Sequence, residues 1–448
     1  MPKKKTALTI EERLQQALVP AEEQPYEVPE NWVWVRLESV ASWGSGGTPS
    51  RKHEEYYNGD ILWIKTGELN NGWIYDTEEK ITDEGLKKSS AKLFPPYSVL
   101  IAMYGATIGK VAILGVPATT NQACACAVCN QSLLYMYLFY YCISQKNVFI
   151  EKGKGGAQPN ISQIILKQHP IPLPPLSEQQ RIVERIEELF AKLDEAKERL
   201  QEVADSFAVR KAAILHKAFT GELIGKQVTE LVPLENLVDL IKIGPFGSSL
   251  HESDYIENGI PLVNPKHIVQ QRIVPQSKIS ISDEKAEELS SYKLKENDIV
   301  LGRRGEMGRC APISNREENW ICGTGSMIIR LKKEYDAKLY SLILGSQATV
   351  TYLENSAVGS TLKNLNEKIV RKIPVPQFSN EEQHEIVRLI DDLLARERAA
   401  QQAAEQALAS IDLMKKSILA RAFRGELGTN KAREASALEL LRQVLAEN

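Results

Sequence analysis

The chain writes one pattern twice. IPLPPLSEQQRIVERI begins at residue 171, and IPVPQFSNEEQHEIVRLI begins at residue 373. In both, a proline-rich strap runs straight into a long periodic segment that closes on nearly the same phrase, HKAFTGEL at 216–223 and ARAFRGEL at 420–427. The offset between the copies is 202 before the periodic segment and 204 through it, so two residues are inserted where that segment starts. Weaker matches continue upstream. VRLESV (35–40) resembles VPLENLV (232–238), ILWIKTGELNNGWI (61–74) resembles IPLVNPKHIVQQRI (260–273), and VLIAMYGATIGKV (99–111) resembles IVLGRRGEMGRCA (299–311). Such a chain folds as two copies of one unit, each a variable globular part followed by a matched helix. Two like scaffolds hold two unlike heads.

The prolines keep each strap extended, because a residue before proline avoids helical angles. Capping boxes then predict the helix starts, Ser177 with Gln180 and Ser379 with Glu382. Gly221 and Gly425 predict the stops. Each helix should span roughly 42 residues, or about 60 Å. Apolar residues in the first run Ile182, Ile186, Leu189, Leu193, Ala196, Leu200, Val203, Phe207 and Ile214, in steps of four and three. In the second, Ile386, Ile390, Leu393, Ala400, Ala404, Ala407, Ile411, Met414 and Ile418 repeat the phase. That is a coiled-coil seam. Antiparallel pairing within one chain is the natural arrangement, and pairing of each seam with another molecule is the alternative. The outer face is either plain solvent surface or a docking surface.

A length of 448 residues implies two or three domains, and 43% apolar with 25% charged residues is the balance of a folded soluble protein. No apolar run is long enough to span a bilayer; the best, LLYMYLFYYCI at 133–143, is too short. The N-terminal MPKKKTALTIEERLQQAL lacks the apolar centre of a signal peptide. Six clustered cysteines do not suggest a disulfide framework, so a cytoplasmic protein without membrane contact is expected. Net charge is −3, but residues 242–372 carry 19 Lys+Arg against 16 Asp+Glu and residues 43–170 carry 12 against 10. A local basic surface is permitted and a strongly cationic module is excluded.

Segments 31–170 and 225–372 read as mixed α/β, with short strands such as ILWIK, SVLIAMY and NDIVLGR and helices expected near 133–150 and 335–355. Glycine-bearing polar loops recur in matched places: WGSGGTPSR, YGATIGK and KGKGGAQPNIS in the first head, KIGPFGSSL, RRGEMGR and VGSTLKNLN in the second. Small residues let a backbone approach phosphate, and Arg, Asn and Gln read base edges bidentately.

Catalytic signatures are missing. FPPY at 94–97 looks like the motif with which amino-group DNA methyltransferases accept the target amine, but Phe94 can accept nothing, and Pro95-Pro96 reads as a turn. In YGATIGKV only three residues separate Gly105 from Gly109 and no hydroxyl follows Lys110, so it is not a P-loop. Cys124, Cys126 and Cys129 alternate with alanines along a strand and read as buried thiols rather than metal ligands. The six histidines, among them His169, His251 and His267, show no ligand spacing.

Two variable domains, each followed by an I-P-x-P strap, a Ser-x-x-Gln/Glu cap, a long helix and an A-F-x-G-E-L end, resemble the specificity (S) subunit of type I restriction–modification enzymes. IPLPPLSEQQRIV with AFTGEL, IPVPQFSNEEQHEIV with AFRGEL, and PENWVWVRL at 29–37 carry the likeness, which covers essentially the whole chain. Gln377-Phe378 in place of Pro175-Leu176 is a small departure. The resemblance implies mixed α+β heads on long antiparallel coiled-coil helices in a cyclic, pseudo-two-fold arrangement, and a non-catalytic role. It divides the chain into an N-terminal segment (1–30), a first target recognition domain (31–172), a central helix (173–223), a second target recognition domain (224–374), a C-terminal helix (375–427) and a tail helix (428–448). Head and tail segments would together supply the connection that 224–234 makes internally. Each recognition domain would read one half of a bipartite, asymmetric double-stranded DNA site, with the helices as a ruler. Two methyltransferase (M) subunits would dock on the scaffold and bring S-adenosylmethionine, while this chain binds no cofactor. Restriction (R) subunits with ATP-dependent translocation are admitted as further partners.

For DNA contact the loops nominate Ser45, Thr48, Arg51, Lys65, Lys110, Lys154, Gln158 and Asn160 in the first head. In the second they nominate Ser248, Ser249, Asn264, Lys266, Arg303, Arg304, Arg309, Thr361, Lys363 and Asn364. Arg303 and Arg304, two guanidinium groups beside a glycine turn, suit phosphate or guanine best. They correspond to Met103 and Tyr104, so the two half-sites should be read differently. A coiled-coil adaptor without sequence-specific DNA contact and an enzyme with its own methyl-transfer or nuclease chemistry are the rivals.

Overall fold

The structure, a computed structural model, describes residues 9–153, 160–357 and 364–447. It separates into two compact units that do not follow chain order: one takes residues 1–199 and 407–448, the other residues 200–406. Both boundaries fall inside the long helices. No helix among the described residues is long and apolar enough to cross a membrane.

The heads repeat one topology. The first has a five-stranded sheet in which Ala41–Ser45, Cys124–Cys129, Val99–Ala102 and Val111–Leu114 lie side by side, with Trp73–Ile74 at the far edge. The second has Val238–Ile243, Ser326–Leu331, Asp298–Gly302 and Cys310–Pro312 in the same order. Each also has a three-stranded sheet whose central strand, Tyr57–Ile64 or Ile260–Val263, pairs parallel with one neighbour. Cys124 and Cys126 face one apolar cluster while Ala125 and Ala127 face another, the two-sided burial that the alternation predicted. Burial pushes the Cys126 and Cys129 thiols up to about 12, where they are inert. FPPY is a turn, as expected. Phe94 is buried against Gly44, and the Ser98 hydroxyl donates to the Pro95 carbonyl at 2.7 Å. The expected helices near 133–150 and 335–355 are each two, Tyr135–Ser144 with Lys146–Lys152 and Ala337–Leu344 with Gln347–Ser356.

The straps are strands. Pro170–Leu173 pairs antiparallel with Val33–Arg36, and Pro374–Val375 pairs with Val232–Pro233. Prolines are tolerated because each ribbon has only two strands, leaving one side of the strap without a ladder. The C-terminal helix runs Asn380–Phe423, and its capping box is present: Glu382 N–H donates to Ser379 Oγ at 3.3 Å and Ser379 N–H to Glu382 Oε2 at 2.8 Å. The first helix corrects the expectation. It begins at Leu176, with the Pro175 carbonyl accepting from Glu178 and Gln179, so Ser177 lies inside the helix and caps nothing. The two-residue insertion is the reason, since at offset 204 it is Pro175 that matches Ser379. This helix also breaks at Ser206, between Leu176–Asp205 and Phe207–Phe219. The Ser206 hydroxyl donates back to the Val203 carbonyl at 2.6 Å, a bond that bends helices. Both glycine stops hold, with Gly221 at φ 81° and Gly425 at φ 75°.

Within each unit the two helix segments run antiparallel. Asp194 pairs with Lys415 at 2.5 Å while Arg181 meets Glu434, and Arg210 pairs with Glu397 at 2.9 Å while Lys226 meets Glu382. The seam is thinner than its periodicity implies. Ile182, Ile186, Ile386 and Ile390 are buried where the heads press on them, yet Val203 is 44% and Met414 50% exposed. Two helices alone can bury only a narrow stripe of each other.

A buried glutamine locks head to helix in each copy. Gln179 Nε2 donates to the Ser132 and Pro174 carbonyls at 2.9 and 3.0 Å, and its Oε1 accepts from Leu134 N–H at 2.9 Å. Gln383, 204 residues on, does the same with the Glu334 and Phe378 carbonyls at 2.9 and 3.1 Å and Asp336 N–H at 2.8 Å. One residue earlier sits a glutamate that receives the connecting chain. Glu382 pairs with Lys226 of the internal connection at 2.8 Å. Glu178 is fully buried and accepts from Trp32 Nε1 and Asn430 Nδ2, both at 2.8 Å, and from the Thr429 hydroxyl at 3.3 Å. Beside it Arg181 grips Glu434 bidentately at 2.9 and 2.7 Å. The helices Ile10–Ala17 and Ala437–Glu447 pack together, burying Leu14 and Ala17 with Ala437 and Leu441. The two ends of the chain thus make together the joint that the second unit makes internally.

Candidate nucleic-acid interface

In each head loops gather at one edge of the larger sheet, because alternate strands of an antiparallel sheet end on the same side. In the second head the strands Val238–Ile243 and Asp298–Gly302 flank Ser326–Leu331 and deliver Gly244–Ser249 and Arg303–Arg309 to that edge. Gly244 N–H donates to the Ser326 carbonyl at 2.9 Å, and Arg303 N–H donates to the Gly325 carbonyl at 2.8 Å. Leu365 N–H donates to the Arg303 carbonyl at 3.0 Å, and Arg304 bridges to Asn364. The turn at Asn264–Lys266 abuts the same place: a Cβ on Gly323 would meet Asn264 Oδ1 at 2.2 Å, and Arg309 Nη1 donates to the Pro265 carbonyl at 3.4 Å. Register is held by Asp298, 1% exposed, which takes a two-point bond from Arg330 directly across the strand pair at 2.8 and 2.7 Å. A slip of one residue would turn the arginines away.

The first head is built alike. Gly47 N–H donates to the Thr120 carbonyl at 2.9 Å, Met103 N–H to the Ala123 carbonyl at 2.9 Å, and Ile161 N–H to the Met103 carbonyl at 2.9 Å. Tyr104 bridges to Asn160 as Arg304 does to Asn364, which bears out the pairing of these positions. Left-handed glycines shape both hairpin tips, Gly105 and Gly109 in one and Gly305 and Gly308 in the other.

The chemistry on the two edges differs. Arg303 Nε donates to the Leu365 carbonyl at 3.1 Å, and Arg304 is exposed beside it. Among the described residues no carboxylate pairs with either. Burial, and then the like charge of Arg304, pull the Arg303 guanidinium below its ordinary range, a field that an incoming anion would relieve. Ser326 Oγ and Asn364 Oδ1 are buried there without a hydrogen-bond partner among the described residues. Arg309 leans on Glu306, Lys266 is exposed, Asn264 caps its own turn, and Ser249 is exposed in a short turn. Ser248 lies in that turn too. In the first head Ser45 ends its strand, Thr48 donates to Gln122, Lys110 is half-buried and Asn160 is exposed. Arg51 and Lys65 are already engaged. Both reach Glu79, at 2.7 and 2.9 Å, and Arg51 lies over the Tyr57 ring at 4.3 Å. Lys65 takes Glu78 as well, at 3.2 Å. A DNA phosphate would have to displace Glu79 from them. Lys154, Gln158, Thr361 and Lys363 lie outside the described residues.

Two exposed aromatics at these edges were not among the residues nominated for DNA contact, Tyr104 at 41% and Phe246 at 67%. An aromatic between Pro245 and Gly247, in the turn that leaves a strand, was the missed signal.

A family described as type I restriction modification DNA specificity domain matches residues 29–205 and again residues 235–407. The specificity subunit of type I restriction enzyme EcoBI from Escherichia coli is 25% identical over 94% of this chain and 93% of its own length. The specificity subunit of type I restriction enzyme MjaIX from Methanocaldococcus jannaschii is 28% identical over 62% and 68%. The crystal structure of the HsdS subunit from Thermoanaerobacter tengcongensis shares the fold, with a TM-score of 0.66 and 20% identity over 90% of this chain and 99% of that one. With two matches that cover most of its length, and a head on a helix in each, the chain belongs to the type I restriction modification DNA specificity domain family.

Proposed function

We propose that this chain, as the non-catalytic DNA specificity subunit of a type I restriction–modification system, reads a bipartite asymmetric site on double-stranded DNA with one head on each half. The observation that carries this reading is the pair of unequal edges on equal scaffolds. Among the described residues Arg303 and Arg304 stand without carboxylate partners where the first head has Met103 and Tyr104. Phosphate contacts would hold each edge in place and the loop residues nominated above would read base edges. The paired helices would set half-sites about one helical turn apart, ~34 Å. The same scaffold, duplicated at Gln179 and Gln383, would dock two methyltransferase subunits, which carry S-adenosylmethionine. Restriction subunits would join them on cytoplasmic DNA. An adaptor without sequence-specific contact gives no reason for unlike edges on like helices.

Methylation profiling of the host genome, with the gene intact and deleted, tests the reading. One bipartite motif with a fixed gap should lose its methylation on deletion. Methylation by the purified chain alone would overturn the non-catalytic role; methylation should appear only when a methyltransferase subunit is added.

A further inference from the structure

Phe246 is a large apolar side chain that joins none of the apolar clusters among the described residues. It is 67% exposed, in a loop whose backbone is constrained on both sides of it. Pro245 fixes one backbone angle before it. Gly244 is pressed so close to the 323–326 turn that a Cβ would meet the Gly323 carbonyl at 2.0 Å, and Gly247 follows at φ +65° with open space around it. The loop therefore presents the ring to solvent instead of folding it back.

Its place on the sheet is informative. The strand that delivers Phe246 and the strand that delivers Arg303 are separated by one strand, Ser326–Leu331. Two strand spacings put their ends about 10 Å apart. That fits within a B-DNA major groove, about 12 Å wide. With the arginines on the phosphate backbone, the Phe246 ring would lie within the width of the groove, in reach of the base edges on its floor. The apolar feature on that floor is the 5-methyl group of thymine. The first head follows the matching strand with Gly46-Gly47-Thr48-Pro49, which has no ring; its Trp43 lies within the strand and packs on the core, and its exposed aromatic, Tyr104, is in the other loop.

We infer that Phe246 is a specificity-determining residue that reads a thymine methyl group in the half-site of the second head. The inference rests on the DNA-reading role proposed above and goes further by assigning one residue to one chemical feature of one base.

The test is a cycle between protein and DNA. The chain assembled with its methyltransferase subunit is bound to a duplex carrying the motif from methylation profiling. Thymines of each half-site are replaced one at a time by deoxyuridine, which pairs alike and lacks the methyl. One replacement, in one half-site only, should weaken wild-type binding about fourfold, the effect of one methyl-sized apolar contact. The same replacement should change nothing for Phe246→Ala. Absence of thymine from both half-sites, or equal effects of every replacement on both proteins, would overturn the inference while leaving the specificity role standing. Weaker assembly of Phe246→Ala with the methyltransferase subunit, at unchanged DNA selectivity, would overturn it too and make the ring a protein contact. Failure of the wild-type assembly to prefer the motif over unrelated DNA would instead strike the specificity role itself.

Discussion

Replacing Gln179 by methionine keeps the volume and removes every polar atom. Three backbone groups then lose their partner: the carbonyls of Ser132 and Pro174 and the N–H of Leu134. Gln179 is fully buried, so water cannot simply take its place. A buried group left unsatisfied costs about 1–3 kcal/mol. Allowing one of the three to relax toward solvent, the expected loss is about 3 kcal/mol, or a fall of about 6–12 °C in the melting midpoint for a unit of this size. Gln383→Met should cost the same, since it makes the same three bonds in the other unit. The lesions share no partner, so in the double variant the losses should add within about 0.5 kcal/mol. Calorimetry measures the midpoints, and hydrogen exchange at the Leu134 and Asp336 amides locates the damage. A single variant that melts with the wild type, or one lesion that opens both amides, would refute the reasoning.

Other consequences are as direct. Arg303→Ala combined with Arg304→Ala should remove about two phosphate contacts, lowering the salt dependence of DNA binding by about 1.8 in log–log slope. Unchanged footprint protection over one half-site would refute it. Deleting residues 425–448 takes Glu434 from Arg181 and Thr429 and Asn430 from Glu178, and should destabilise the first unit by about 3 kcal/mol or more while the second unit melts as before. A single unshifted calorimetric transition would contradict this. His169 is buried against Phe149, and burial, with the Lys152 ammonium 3.1 Å away, pulls its pKa from 6.5 to about 3. Between those values the unfolded chain binds a proton that the folded chain does not, so stability falls as pH drops below 6.5, by at most about 1.4 kcal/mol per pH unit. Urea midpoints from pH 7 to 5 should show a shallower slope for His169→Asn, and equal slopes would refute the assignment.

The repeat, the straps, the helix stops and the two unlike heads were legible because they rest on local signals: proline before a turn, glycine at a stop, apolar spacing along a helix. The cap at Ser177 misled because the same letters stand two residues out of phase with Ser379, and the phase is set by Gln179 through bonds to residues 45 and 47 positions away. No local pattern reveals such a partner. The seam misled in the other direction: periodicity reports which face is apolar, not how much of it a lone partner helix can cover. At the candidate interface the loops were found but their electrostatics were not. Arg51 and Lys65 looked as free as Arg303 until the fold brought Glu79 between them.

The joint at Glu178 has a consequence for the order of synthesis. Residues 200–406 contain everything the second unit uses, so it can close as soon as that stretch has left the ribosome. The first unit, although its head is made first, waits for Thr429, Asn430 and Glu434. At roughly 5–20 residues per second that delay is some tens of seconds. In that interval Trp32 and the seat of the tail helix lie open, and a nascent chain could accept another molecule's tail in place of its own. The part encoded first is finished last.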